Sequence, residues 1–258
     1  EQITYITNNG VSQDKLKLVL IGNGLACMRC LEDLLDMAPD RYEVTVIGEE
    51  PWGNYNRIML SPVLSGEKTI EDIMLHPHTW YSDKGIKFIA DDPAIKIDRT
   101  RKTVHTEKGE SVDYDRLIIA TGSKPFIPPV QGVDLKGVIS FRDIYDVNTM
   151  IKYCETKKNA VVIGGGLLGL EAAYGLKQRG MNVTVLHLMD RIMERQLDGR
   201  ASRMLRQSIE EKGINIITEA NTEALIGKDG HVNQVRLKDG TVLDADLVVF
   251  AVGIRPNI

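Results

Sequence analysis

The sequence predicts an α/β protein of two doubly wound, three-layer domains, each carrying a β-meander. Three observations predict it. A glycine-rich turn between an apolar run and a helical stretch occurs twice, at Gly22–Cys27 and Gly164–Gly169. Each half closes on the same pattern, an Asp, a short apolar run and Ala-x-Gly, within Tyr114–Gly122 and Asp244–Gly253. Three short alternating segments joined by polar turns precede each closing run. At ~150 residues per domain, a length of 258 makes two domains the first expectation.

The elements follow in order. Leu16–Ile21 is an apolar strand, and the helix Leu25–Met37 behind its turn stops near Pro39-Asp40. Tyr42–Ile47 is rich in β-branched residues and reads as the second strand. Ile95–Ile97, Thr103–His105 and Ser111–Asp113 form the first meander, with Glu107–Gly109 as a turn. Lys124–Gly132, with three prolines, reads as a linker. The second half repeats the order with the strand Ala160–Ile163, the helix Leu167–Arg179, a stop at Gly180 and the strand Asn182–Leu186. Its meander is Thr222–Ile226, Val232–Leu237 and Thr241–Leu243, with turns at Lys228–Gly230 and Lys238–Gly240. Asp-Gly between alternating runs is a hairpin signal. Fully apolar strands interleaved with helices imply parallel sheets covered on both faces.

Composition narrows the function. Lys plus Arg is 32 against 36 for Asp plus Glu, a net charge of -4, which gives no electrostatic reason to expect nucleic acid or an anionic membrane. Three cysteines cannot form a disulfide framework, so a reducing, cytoplasmic compartment is expected. No apolar run approaches the ~18 residues of a membrane span. Glu1–Lys15 is polar and lacks the basic and apolar regions of a signal peptide. The chain opens on Glu and stops at Ile258 directly behind a strand-like run, as a piece of a longer protein would.

The chemistry sits in the turns. In Gly-x-Gly-x-x-Gly the first glycine makes the tight turn and the second lets a pyrophosphate reach the backbone. The third lets helix and strand pack closely, and the helix N-terminus supplies N–H groups and positive dipole. The second copy has all three, Gly164, Gly166 and Gly169; the first has Gly22 and Gly24 with Cys27 in the third place. Cys27 and Cys30 spell Cys-x-x-Cys, but packing of Cys27 against the strand is the expectation, because a bound pyrophosphate would fill the space above the turn. The strand Tyr42–Ile47 runs into Glu49 and Glu50, and an acid there can accept ribose hydroxyls; Glu49 is the first choice and Glu50 the reserve. The corresponding place after Leu186 holds His187, with Arg191 and Arg195 beyond it. That leaves NADH and NADPH equally open. Arg57, in Asn54–Pro62, can reach a phosphate or a ring edge. His76-Pro-His78 is too sparse to predict a metal site.

Taken together, these motifs resemble the two-dinucleotide-domain flavoprotein oxidoreductases, over about residues 16–258. The resemblance implies two Rossmann-like domains, FAD in the first and NAD(P)H in the second. Ala120-Thr121-Gly122 and Gly253–Asn257 are similar to the family's domain-crossing segments. Gly164–Ala173 is similar to its NAD(P)H motif, in which Glu171 lies near the nicotinamide. Arg57 with Thr121 and Gly122 would hold the flavin side. Residues 1–124 would be the FAD domain, 125–252 the NAD(P)H domain, and 253–258 would return to the first. The family's third FAD motif lies beyond the end of this chain, so the FAD domain is expected to lack its last strand.

More narrowly, Asn54–Gly66 and His187–Asp198 resemble the large subunits of assimilatory nitrite reductases. That implies an enzyme of nitrogen assimilation whose electrons leave FAD for iron–sulfur and sirohaem centres in parts outside this chain. Pro62 follows Leu60-Ser61 where rubredoxin and ferredoxin reductases carry Lys, and Glu50–Leu64 lacks the cysteine pair of disulfide reductases. A stand-alone rubredoxin or ferredoxin reductase is the alternative, and a nucleotide-binding scaffold without turnover the alternative of another class. The expected partners are small nucleotides and a redox partner domain or protein, with no nucleic acid and no membrane.

Overall fold

The structure, a computed structural model, describes residues 15–257. The polar start and Ile258, on which the absence of a signal peptide and the last position of the returning segment were read, lie outside the described residues. The chain divides into two compact units. One comprises the residues up to Tyr55 with Leu75–Thr121, the other Asn56–Met74 with the chain from Gly122 onward.

The first unit is built on a four-stranded parallel sheet. Its strand order is Lys87–Ile89, Tyr42–Ile47, Leu16–Ile21, Arg116–Ile119. The turn-bearing strand is central, and Ile21 pairs with Ile47 on one side and Ile119 on the other. Alternate residues face opposite layers. Leu18 and Leu20 pack with Cys27, Met28 and Leu31 of the helix Leu25–Met37. Val19 and Ile21 pack with Val104 and the partly buried Ile97 and Val112 of the meander Ala94–Asp98, Thr103–Thr106, Ser111–Asp113. Both faces are therefore covered, which is why the strand carries no alternation in its sequence.

The second unit repeats the plan with five parallel strands. The order is Val138–Ser140, Leu247–Phe250, Asn159–Ile163, Asn182–Leu186, Ile214–Ile217. Ile163 pairs with Leu186 and Phe250. Val161 and Ile163 join Leu225, Val235 and Leu237 of the meander Thr222–Lys228, His231–Leu237, Val242–Asp244. The helix Leu167–Gln178 buries Ala172, Ala173 and Leu176 and packs on the central strand. The closing strands differ between the units. Leu247–Phe250 is buried along its length and flanked in the sheet by Val138–Ser140, whereas Arg116–Ile119 stands at a sheet edge with Ile119 61% exposed.

The Asp shared by both halves has a structural role. Asp115 accepts the Lys17 N–H at 2.8 Å, and Asp246 accepts those of Lys158 and Asn159 at 3.2 and 2.9 Å. Each thus pins the start of the central strand to the approach of the closing one. One expectation needs correction. Lys124–Gly132 is not simply a linker: Ser123–Pro125 is a strand paired antiparallel with Ile254–Pro256, and Gln131 bridges to Ala224 of the meander. Prolines are tolerated there because edge strands need not donate at every position. The helix Leu167–Gln178 also stops one residue before the predicted Arg179, which is its C-cap.

The second unit carries a strained charge. Asp146 lies in the first turn of the helix Ile144–Thr156, where its carboxylate accepts from the backbone N–H of Arg142 at 2.7 Å and from Ser140 Oγ at 3.0 Å, and its own N–H is capped by Asp143 Oδ1 at 2.9 Å. Burial pushes its carboxyl from 3.8 up to about 6, and the neighbouring Asp143 adds to the shift. A folded-state pKa above the unfolded one means stability that is fully present below the unfolded value and lost as pH rises through about 6. Asp146→Asn keeps an acceptor without the charge. Its melting temperature relative to the parent chain should rise between pH 4 and pH 7; a difference that is flat across that range would contradict the assignment.

Candidate functional site

The first glycine turn is set by a close backbone approach. Gly22 has a φ of 112°, and a Cβ there would stand 2.2 Å from the carbonyl oxygen of Ala120. The Ala120 N–H in turn bonds the Ile21 carbonyl at 2.8 Å. Gly24 is different. Its backbone is extended, and nothing lies within 4 Å of an added Cβ. It caps the helix Leu25–Met37 without any side-chain hydrogen bond, so the helix presents N–H groups to open space. That combination fits a dinucleotide pyrophosphate. Cys27 occupies the third position and is buried on the sheet side. Burial, with the Cys30 sulfur adding to it, pushes its thiol up to about 12, so it is a neutral packing group and no redox dithiol.

A buried polar network braces this turn. The Tyr81 hydroxyl donates to Asn23 Oδ1 at 2.6 Å, and Asn54 Nδ2 donates to the Asn23 carbonyl at 2.9 Å. His76 bridges Asn54 Oδ1 at 3.1 Å and Glu32 Oε1 at 2.9 Å. His78 Nε2 lies 2.8 Å from the Pro51 carbonyl. The two histidines thus serve the scaffold, and no group of three metal-binding side chains gathers among the described residues. Glu49 is exposed at the strand end, while Glu50 accepts from the Tyr55 hydroxyl at 2.7 Å. Thr121 follows Ala120 at the end of the first unit.

The second turn reproduces the first. Gly164 has a φ of 123° and its Cβ would meet the Ala251 carbonyl oxygen at 2.3 Å; Gly166 is open, as Gly24 is. Gly169 is packed so that a Cβ would lie 1.9 Å from the Gly164 carbonyl oxygen. His187 is buried beside the turn, with Nδ1 accepting from the Gly165 N–H at 3.0 Å and Nε2 on Glu194 Oε2 at 2.9 Å. Arg191 Nη1 lies 3.4 Å from Asp190, while its buried Nε has no partner. Gly122 and Gly253 have φ of 68° and 130° with open space around them. The segments they begin close on each other through Phe126 N–H to the Gly253 carbonyl and Asn257 N–H to the Gly122 carbonyl.

The second unit also assembles a contact that the sequence did not foretell. Ser61 Oγ donates to Glu171 Oε2 at 2.5 Å, a charge-assisted bond. Ser61 sits on the short helix Leu60–Ser65, which lies against Leu167–Gln178. Gly175 permits the approach, since a Cβ would stand 2.7 Å from Leu64 Cγ. Arg179 holds the end of the short helix through the Leu64 and Val63 carbonyls. A glycine inside a helix is costly and signals close approach; Gly175 was the available clue. Arg57 Nη1 donates to the Arg142 carbonyl at 2.9 Å, and Arg142 binds Ser123 Oγ at 2.7 Å.

Comparison with known proteins decides the family. The model of the pyridine nucleotide-disulphide oxidoreductases matches residues 16–258. The chain belongs to that family. It is 50% identical over 94% of its length to a nitrite reductase [NAD(P)H] of Bacillus subtilis, of which it covers 30%. It is 38% identical over 94% of its length to the nitrite reductase (NADH) large subunit of Escherichia coli, covering 29% of that protein. Among solved structures it resembles a NAD-dependent persulfide reductase from A. fulgidus with a TM-score of 0.88 and 30% identity, over 94% of this chain and 47% of that one. The chain thus spans about a third of the length of the nitrite reductases it matches.

Membership in this family of oxidoreductases implies FAD and NAD(P)H as the cofactors that the two glycine turns serve. No helix among the described residues is long and apolar enough to cross a membrane. The two kinds of turn glycine separate fold from binding. Gly169→Ala forces a Cβ onto a carbonyl and should cost about 1–3 kcal/mol of stability, read as a lower melting temperature. Gly166→Ala meets nothing and has an extended backbone, so the melting temperature should hold. Its methyl group stands in the space for the pyrophosphate, and pyridine-nucleotide affinity in a titration should fall by roughly tenfold. Equal behaviour of the two variants would refute the division.

Proposed function

We propose that this chain is the electron-input portion of an assimilatory nitrite reductase large subunit. The observation that carries the reading is 50% identity over 94% of the chain with a nitrite reductase, joined to Ser61-Pro62 in the stretch Asn54–Gly66. In this reading Gly22, Gly24, Cys27, Glu49, Glu50, Ala120 and Thr121 belong to the FAD site. Gly164, Gly166, Gly169, His187 and Arg191 belong to the NAD(P)H site. The paired segments at Gly122 and Gly253 carry the chain between a FAD domain, near residues 1–124, and an NAD(P)H domain, near 125–252. When bound, the two cofactors supply a hydride transfer that ends in electrons delivered to iron–sulfur and sirohaem centres elsewhere in the full protein, where nitrite becomes ammonia.

The residues of this chain bind and orient. The uncapped helix at Gly166 takes the pyrophosphate on backbone N–H groups. Glu171 is the catalytic candidate. Ser61 fixes its Oε2, which leaves Oε1 to accept from the carboxamide of the nicotinamide. Arg57, anchored on the Arg142 carbonyl, is the candidate for the flavin side, as its place in the stretch Asn54–Pro62 suggests. The expected setting is the cytoplasm, with a redox domain or protein as electron acceptor.

The test uses the full-length protein. It should reduce nitrite with NADH or NADPH, and Glu171→Gln should lower that rate by about tenfold to a hundredfold, the scale on which misplaced reacting groups cost rate. Nitrite reduction driven by dithionite and a viologen dye, which bypasses the nucleotide, should be unchanged. Reduction of rubredoxin or ferredoxin without nitrite turnover would replace this reading with a stand-alone reductase. Nucleotide binding without any turnover would replace it with a scaffold.

A further inference from the structure

We propose that Glu194, positioned by His187, reads the 2′ position of the adenosine ribose and makes this chain select NAD(H) over NADP(H). The proposal rests on the assignment of Gly164–Gly169 as the pyridine-nucleotide turn.

The sequence shows no acid at the end of the strand Asn182–Leu186, where a carboxylate would accept the ribose hydroxyls. The structure supplies one from seven residues further along. His187 packs against the middle of the turn: a Cβ on Gly165 would stand 2.8 Å from His187 Cγ and 2.9 Å from Ile192 Cγ2. Only glycine at position 165 admits this ring. His187 Nδ1 accepts from the Gly165 N–H at 3.0 Å. An accepting Nδ1 carries no proton, so the neutral ring bears its proton on Nε2 and donates it to Glu194 Oε2 at 2.9 Å. The imidazole thus acts as a rigid spacer that carries the carboxylate to the end of the strand.

The loop that brings Glu194 back is built for that position. Met193 holds a left-handed φ of 53°, uncommon outside glycine. Its N–H bonds the Gly165 carbonyl at 3.0 Å, and its own carbonyl accepts from Gln196 and Leu197, both at 2.9 Å. Ser202 Oγ donates to the Ile192 carbonyl at 2.8 Å. Glu194 keeps 23% of its side chain exposed, and Oε1 is 3.9 Å from Arg195 Nε, beyond hydrogen-bond length. That oxygen is available to a ribose hydroxyl. The same carboxylate repels a 2′-phosphate.

The nearby cations do not reverse this sign. Arg191 faces Asp190, and Arg195 is 86% exposed beside Glu194. From Asp190 to Arg195 two acids balance two arginines, so the loop offers no surplus positive charge to a dianionic phosphate.

The experiment measures NAD+ and NADP+ binding to the full-length, flavin-loaded protein by titration calorimetry. The parent should bind NAD+ at least roughly tenfold tighter, the scale of one hydrogen bond to a charged group. Glu194→Gln should bring the two affinities together by a similar factor. His187→Ala should shift the same ratio, because Glu194 loses its spacer; a purely structural role would weaken both ligands alike and leave the ratio unchanged. An unchanged ratio in Glu194→Gln, with nucleotide still bound, overturns the proposal and leaves the turn assignment standing. Tighter binding of NADP+ by the parent overturns it as well and gives the unpartnered Arg191 Nε to the phosphate. If neither nucleotide binds, the turn assignment fails and the proposal falls with it.

Discussion

A backbone carbonyl packed where a side chain would otherwise stand fixes each nucleotide turn. Ala120 and Ala251 place their oxygens 2.2 and 2.3 Å from the Cβ positions of Gly22 and Gly164. Each of these alanines also donates its N–H to the last residue of the central strand. The turn, its strand and the closing strand are thereby locked in one register. The helix that follows must then start in one place, with its first N–H groups in the open. The Ala-x-Gly pattern in the sequence is thus the far side of the glycine turn, read off a different strand. Asp115 and Asp246 secure the opposite end of the same strand pair.

With the turns held alike, the two units diverge in what surrounds them. In the first, Cys27 replaces the third glycine and packs with Leu18 and Leu20. Polar side chains (Asn23, Asn54, His76 and Tyr81) then stiffen the loop from the outside. In the second, Gly169 lies directly on the Gly164 carbonyl and Gly165 is covered by an imidazole. A polar network is expensive unless every member is satisfied, and both of these are closed by a carboxylate, Glu32 or Glu194.

The Ser61–Glu171 contact depends on packing at a distance from either residue. The short helix Leu60–Ser65 is too brief to be stable by itself. It is held by burial of Leu60, Val63 and Leu64, by the missing side chain at Gly175 and by the Arg179 guanidinium on its last carbonyls. Glu171 therefore gains a fixed rotamer from residues on the next two turns of its own helix.

The sequence by itself determined the architecture. Glycine placement, apolar runs and the paired Ala-x-Gly segments are local signals, and the strands, helices and both turns they mark stand there to within a residue or two, although they left the helices Ile144–Thr156 and Gly199–Glu211 unmarked. Glu49, Glu50, Arg57 and Glu171 were legible as candidates because motifs fix their chain positions. Only the tertiary structure decided their company. It gave Glu50 to Tyr55, Arg57 to the Arg142 carbonyl, Glu171 to Ser61 and His187 to Gly165 and Glu194. It also turned part of a proline-rich linker into a strand. The physical reason is common to all of these. Secondary structure follows from spacing along the chain, whereas a hydrogen bond between residues as far apart as 61 and 171 follows from backbone approach, and no local pattern records it.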